Sequence, residues 1–218
     1  EAASMDPQQR LLLECGYTAF HDASLTREVL LGSTTGVALG IYTTEFAQLL
    51  GASPAGDSVY MATSSSLAIA CGRLSYMLGL HGPCLSIETA CSASLVAAHP
   101  AWQGLHRAEC ADSLTAGVNL MLTPAPAQVM SVAGMTSVRG RSPTFDARAD
   151  GFARGEGVFA AVLQVVAVST KNLLLNGSAV RQDGRSASLT APSGQAQQGL
   201  LRAALADAAT TADALALT

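Results

Sequence analysis

Between Leu67 and Leu105 the sequence passes from helix to strand and back to helix with almost no chain to spare, and this limits the fold more than any other feature. Leu67–Leu78 reads as a helix stopped by Gly79, and His81-Gly82-Pro83 makes a turn. Cys84–Thr89 alternates as a strand does and runs directly into Cys91. From there Cys91–Leu105 is helical in composition, with small or apolar residues on nearly every face, so it is expected to be buried all round. Pro100 interrupts it and should kink it, since an interior proline costs about 3 kcal/mol.

The same alternation continues on both sides. Asp6-Pro7 opens a helix carrying Leu12, Leu13, Tyr17 and Phe20 at helical spacing, which fades near Asp22. Thr35–Tyr42 reads as a buried strand and Glu45–Leu50 as a short helix. Leu114–Met121 is another strand, Arg139–Arg154 a polar loop, Val158–Val168 and Leu173–Val180 β-rich runs, and Gln195–Ala208 a final helix. Strands alternating with helices imply an α/β protein with a mostly parallel sheet.

Composition narrows the function. Hydrophobic residues make up 49% of the 218 and charged ones 13%, yet no apolar run approaches the roughly 20 residues of a membrane-spanning helix. The net charge is −4, Lys171 is the only lysine, and no basic run appears, so nucleic acid is not an expected partner. Five cysteines without a C-x-x-C pair or a signal peptide read as reduced thiols, placing the protein inside a cell, in cytoplasm or an organelle, plastid included. The chain opens at Glu1 without an initiator methionine and is expected to begin within a longer protein.

Cys91 has a physical reason to be reactive. A cysteine between a strand's end and a helix's start faces unsatisfied N–H groups and the positive end of the helix dipole, which favour a thiolate. The same groups can stabilise the oxyanion formed when a thioester is attacked. The small neighbours Ala90, Ser92 and Ala93 leave room for a substrate chain.

Several ordered blocks then resemble the β-ketoacyl synthase family, the ketosynthases of polyketide and fatty acid synthases. They are Asp6-Pro7-Gln8-Gln9-Arg10, Gly72-Arg73-Leu74-Ser75-Tyr76, Thr89-Ala90-Cys91-Ser92-Ala93-Ser94, Ala116-Gly117-Val118-Asn119, Thr144-Phe145-Asp146-Ala147, Gly151–Gly157 and Gly177–Ser186. The resemblance implies a thiolase-like αβαβα layered fold, of which residues 1–218 form a partial domain. It implies that Cys91 carries the acyl chain, with Thr89 and Ala90 in support and Glu156 orienting groups from the other half. It implies substrates on the phosphopantetheine arm of an acyl carrier protein, no bound cofactor or metal, and a homodimer, or a complementary half, meeting at Cys84–Thr89.

The family's two further histidines, in an HGTGT-like and an N-x-G-H block, are absent, as is its first strand. His21, His81, His99 and His106 do not replace them: His99 lies roughly 12 Å along the helix from Cys91 and His106 roughly 22 Å. The chain alone is therefore expected to be unable to condense acyl groups. Two rivals keep the same fold: a non-catalytic structural remnant, and a thiolase-superfamily acyltransferase without decarboxylation. Asp146–Gly151 imitates the start of a calcium loop, but Arg148 stands at a ligand position. Arg148 and Arg154 are expected to neutralise the carboxylates there. Gly134 and Met135 are candidates for an acyl pocket, with core packing as the competing reading.

Overall fold

In the computed structural model, which describes residues 1–42, 45–165 and 173–215, Asp6 caps the first helix through its side chain. Its carboxylate accepts the Gln8 N–H at 2.8 Å, and Pro7 occupies the first helical position of α1 (Pro7–Asp22). Burial holds the Asp6 carboxyl above its ordinary pKa, against the opposing hydrogen bond from Gln8. A short α2 (Arg27–Leu30) leads into β1 (Gly36–Ile41), buried along its whole length. Then come α3 (Glu45–Gly51), α4 (Met61–Ser64) and α5 (Leu67–Leu78), the last ended by Gly79 in the left-handed conformation. β2 (Cys84–Ile87), α6 (Ala93–His106) and β3 (Asp112–Asn119) follow, then α7 (Ala125–Val132) and β4 (Gly157–Gln164).

The four strands form one sheet in the order β2-β1-β3-β4, with β1 parallel to both β2 and β3. The side-chain period of two divides the core. Val37, Leu39 and Ile41 of β1, with Leu114, Ala116 and Val118 of β3, pack against Leu12 and Phe20 of α1 and Leu74 and Leu78 of α5. On the other face Ala38 meets Ala97 and Ala101 of α6, with Ile87 and Leu163 beside them. Large residues thus face the α1/α5 layer, and small ones let α6 come close.

The chain divides into two compact units, 1–163 and 164–218. Within the second, α8 (Gly194–Asp207) is capped by the Ser193 hydroxyl, which accepts the Ala196 N–H at 3.3 Å. Asp207 accepts the Ser178 N–H at 2.8 Å, and Asp183 accepts that of Ser193 at 2.7 Å.

Three expectations change. Leu173–Val180 forms no strand, and Leu173, Leu174 and Leu175 are exposed. β-branched and apolar composition favours a pleated, half-covered surface, and no ladder supplies one along this run. Of Val158–Val168 only the part through Gln164 is strand, and residues 166–168 lie outside the described residues. α6 continues through Pro100, but it is covered on one side only: Ala93, Ala97 and Ala101 are buried, whereas Leu95 is 77% exposed. The sheet covers one flank and leaves the other open.

Candidate active site

The three parallel strands place their carboxyl ends at one edge of the sheet, where open α/β folds gather their functional groups. Cys91 lies just past the end of β2, in a single 3-10 turn (Ala90–Ser92) ahead of α6, rather than in the helix itself. Ala90 adopts φ +53°, a left-handed conformation that costs an L-residue about 1–2 kcal/mol. The reversal turns the chain sharply out of the strand and leaves Cys91 exposed. Thr89 and Ser92 tie the turn across its base: the Ser92 hydroxyl donates to the Thr89 carbonyl at 2.9 Å, and the two hydroxyls are also 2.9 Å apart. Thr89 clamps the turn that holds Cys91, and Ala90 bends it. The N–H groups of Ser92 and Ala93 are turned back onto the carbonyls of Thr89 and Ala90, which removes two of the donors expected for an oxyanion.

What seats this turn lies in neighbouring strands. Gly40 and Gly117 are register partners on β1 and β3. A Cβ on Gly40 would run into the backbone of Ala93 and Ser94, and one on Gly117 would stand 2.6 Å from Ser94 Cβ. Because α6 links β2 to β3 across β1, its first turn must cross both strands, and only bare backbone lets it press down there.

The segment after β3 is fixed as firmly. Leu120 N–H donates to Gln8 Oε1 at 3.2 Å and Met121 N–H to Glu156 Oε1 at 2.7 Å. Leu122 and Thr123 N–H both donate to Glu45 Oε2, at 2.9 and 2.6 Å, and the Thr123 hydroxyl joins them at 3.0 Å. Glu45 is 4% exposed, and the other oxygen of its carboxylate is 3.8 Å from Arg154 Nη2. Four successive amides are thus held by three side chains from three parts of the chain. Gln8 and Glu45 did not stand out as site residues in the sequence, because their partners are distant backbone groups. Glu156 stood out through resemblance alone, and it is exposed and bound to Met121.

Gly134 (φ +69°) ends the α7 turn in open space, and Met135 is exposed rather than packed in the core. In the 139–154 loop Arg148 binds Asp146 at 2.9 Å, as expected. Asp150 takes Arg139 at 3.2 Å instead of Arg154, which reaches Glu45. Hydrogen bonds from Arg148 hold Asp146 below the ordinary carboxylate range, and those from Ser137 and Arg139 do so for Asp150. Among the described residues no cluster of His, Cys, Asp or Glu could hold a metal, and no helix is long and apolar enough to cross a membrane. His21 and His81 are exposed; His106 donates to the Trp102 carbonyl at 3.0 Å and stacks on its ring.

Comparison with known proteins gives one answer by three routes. The family model described as beta-ketoacyl synthase, N-terminal domain, matches residues 1–167. A phenolphthiocerol/phthiocerol polyketide synthase of Mycobacterium tuberculosis is 44% identical over 97% of this chain, which spans 10% of that protein. A ketosynthase from module 6 of the bacillaene synthase of Bacillus subtilis superposes with a TM-score of 0.82 at 38% identity, covering 94% of this chain and 36% of that one. An oxazolomycin ketosynthase domain of Streptomyces albus gives 0.86 at 28% identity, covering 96% and 38%.

Proposed function

The chain belongs to the β-ketoacyl synthase family and carries part of its thiolase-like α/β fold, and from that footing we propose that it is the nucleophile-bearing part of a polyketide synthase ketosynthase. Cys91 attacks an acyl thioester on the phosphopantetheine arm of an acyl carrier protein, and the pantetheine thiol leaves. A malonyl-type extender on a second carrier arm then loses carbon dioxide. The resulting carbanion attacks the Cys91 thioester, expelling the Cys91 thiolate and giving a β-ketoacyl product. The protein supplies this chemistry without a metal or cofactor of its own.

The observation that carries the reading is the seat of Cys91. It is an exposed thiol after a left-handed residue, at the carboxyl end of a parallel strand, over two glycines that admit the following turn. Decarboxylation needs donors for the developing enolate, and along the helix after Cys91, His99 lies roughly 12 Å and His106 roughly 22 Å away. Acyl transfer to Cys91 is therefore the step this chain would carry, and condensation would need a complementary half bearing the further donors. Incubation with an acyl-loaded carrier protein and mapping by mass spectrometry tests this. The acyl group is expected on Cys91 and lost in Cys91→Ala, with no β-ketoacyl product from the isolated chain. Equal acylation of the Cys91→Ala variant would remove the assignment.

A further inference from the structure

On the face of the sheet opposite α6, two more thiols meet. Cys71 lies in the buried core on α5, and Cys84 is the first residue of β2. Cys71 and Ser75 are one turn apart on one helix face, and Cys84 and Ser86 share one face of the strand. These two faces are in contact. The Ser75 hydroxyl donates to Cys84 Sγ at 3.4 Å, and the Ser86 hydroxyl donates to the Leu67 carbonyl at 2.6 Å. The side chains of Cys71 and Cys84 therefore face each other across the contact of α5 with β2; Ser75, one turn from Cys71, holds the Cys84 sulfur, and the Cys71 thiol donates to the Ala68 carbonyl at 3.3 Å.

We propose that Cys71 and Cys84 are an oxidisable dithiol, which a peroxide closes to a disulfide tying α5 to the start of the edge strand β2. The proton between the sulfurs favours this. The hydrogen bond from the Cys84 thiol lowers the Cys71 pKa to about 6, and the same bond raises that of Cys84. Cys71 is therefore the more acidic thiol of the two, and its thiolate is the form that reacts with peroxide. Its sulfur attacks one peroxide oxygen and the O–O bond breaks, giving a sulfenic acid and, after protonation, one water. The Cys84 sulfur then attacks the Cys71 sulfur and the S–O bond breaks, releasing a second water. Two thiols and one hydrogen peroxide thus become one disulfide and two waters. The half-buried Cys84 marks the way in for an oxidant that small.

The test uses the folded chain in a Cys91→Ser background, so that the exposed thiol does not consume the oxidant. The chain is treated with hydrogen peroxide, quenched with N-ethylmaleimide and digested with trypsin without reduction; the enzyme cuts at Arg73, between the two cysteines. A cross-linked peptide pair two hydrogens lighter than its free thiols is expected, reversed by dithiothreitol and absent when the chain is first unfolded in urea. It is also expected to disappear in Cys71→Ser and in Cys84→Ser. Phenylarsine oxide, which bridges paired thiols, should bind and protect the pair, and should do neither in the two single variants. Full alkylation of both residues after peroxide treatment, or their separate oxidation to sulfinic acids, would overturn the proposal. Either result leaves the role of Cys91 untouched, since Cys91 is absent from the test.

Discussion

A glycine in a strand ordinarily weakens it, and the pair at Gly40 and Gly117 is tolerated because the first turn of α6 occupies the space their side chains would fill. Gly40→Ala sets a Cβ against the backbone of Ser94, which cannot rotate away, so a loss of about 3 kcal/mol in urea unfolding is expected. Gly117→Ala meets a side-chain carbon and should cost less, about 1–2 kcal/mol. Both should also slow alkylation of Cys91 by iodoacetamide, because the turn that presents the thiol would lift from its seat. In the unaltered chain Cys91 should be labelled ahead of Cys15 and Cys110; earlier labelling of either would argue against its assigned role. Cys91 drew notice in the sequence because a strand runs straight into it and because the block around it resembles the ketosynthase family; the structure sets it just past the end of that strand. The glycines were visible only as residues within strands, since their purpose depends on which helix crosses which strand.

The elements around the site are held by carboxylates, and each makes a distinct expectation. Glu45→Ala strips the acceptor from Leu122 and Thr123 and leaves Arg154, mostly buried, without this partner. A loss of about 3 kcal/mol is expected, with faster amide exchange at Leu122 and Thr123 and unchanged exchange in α8. In the 139–154 loop the sign of the pH effect follows from the depressed Asp146 and Asp150. The folded loop binds fewer protons than the unfolded chain, so the stabilisation is complete above the ordinary Asp value of 3.8 and is lost as pH falls through the lower folded values. Amide protection at Arg139 and Arg148 should hold down to about pH 5 and fall only under stronger acid. Helix starts and stops were readable here: Leu67–Leu78 coincides with α5, and Asp6-Pro7 caps α1. Leu173–Val180 misled because a strand exists only beside another strand. The short α4 and α7 were missed because four to eight residues with no buried apolar side chain leave little periodic signal.

Taken whole, the molecule carries more apolar surface than its own sheet can cover. Leu95 on the open flank of α6, Val129 and Val132 on α7, and Phe145 in the loop are all exposed. β2 stands at the sheet edge with Leu85 44% exposed. A strand pairing on one side only offers unmet N–H and C=O groups on the other, and an apolar residue on it adds to the attraction for a second strand. The family resemblance implies that this strand meets its counterpart in a second copy. We therefore expect the chain to be dimeric or larger at micromolar concentration, measured by light scattering on a sizing column. Leu85→Lys places a charge on the edge without touching the buried face of β2, and should shift the population toward monomer with the circular dichroism unchanged. Acyl transfer to Cys91 should survive the same substitution, because the nucleophile's turn rests on β1 and β3 rather than on the edge. A wild-type chain that runs as one monodisperse monomer and unfolds cooperatively would show that the exposed edge is tolerated and would overturn the expectation of a dimer.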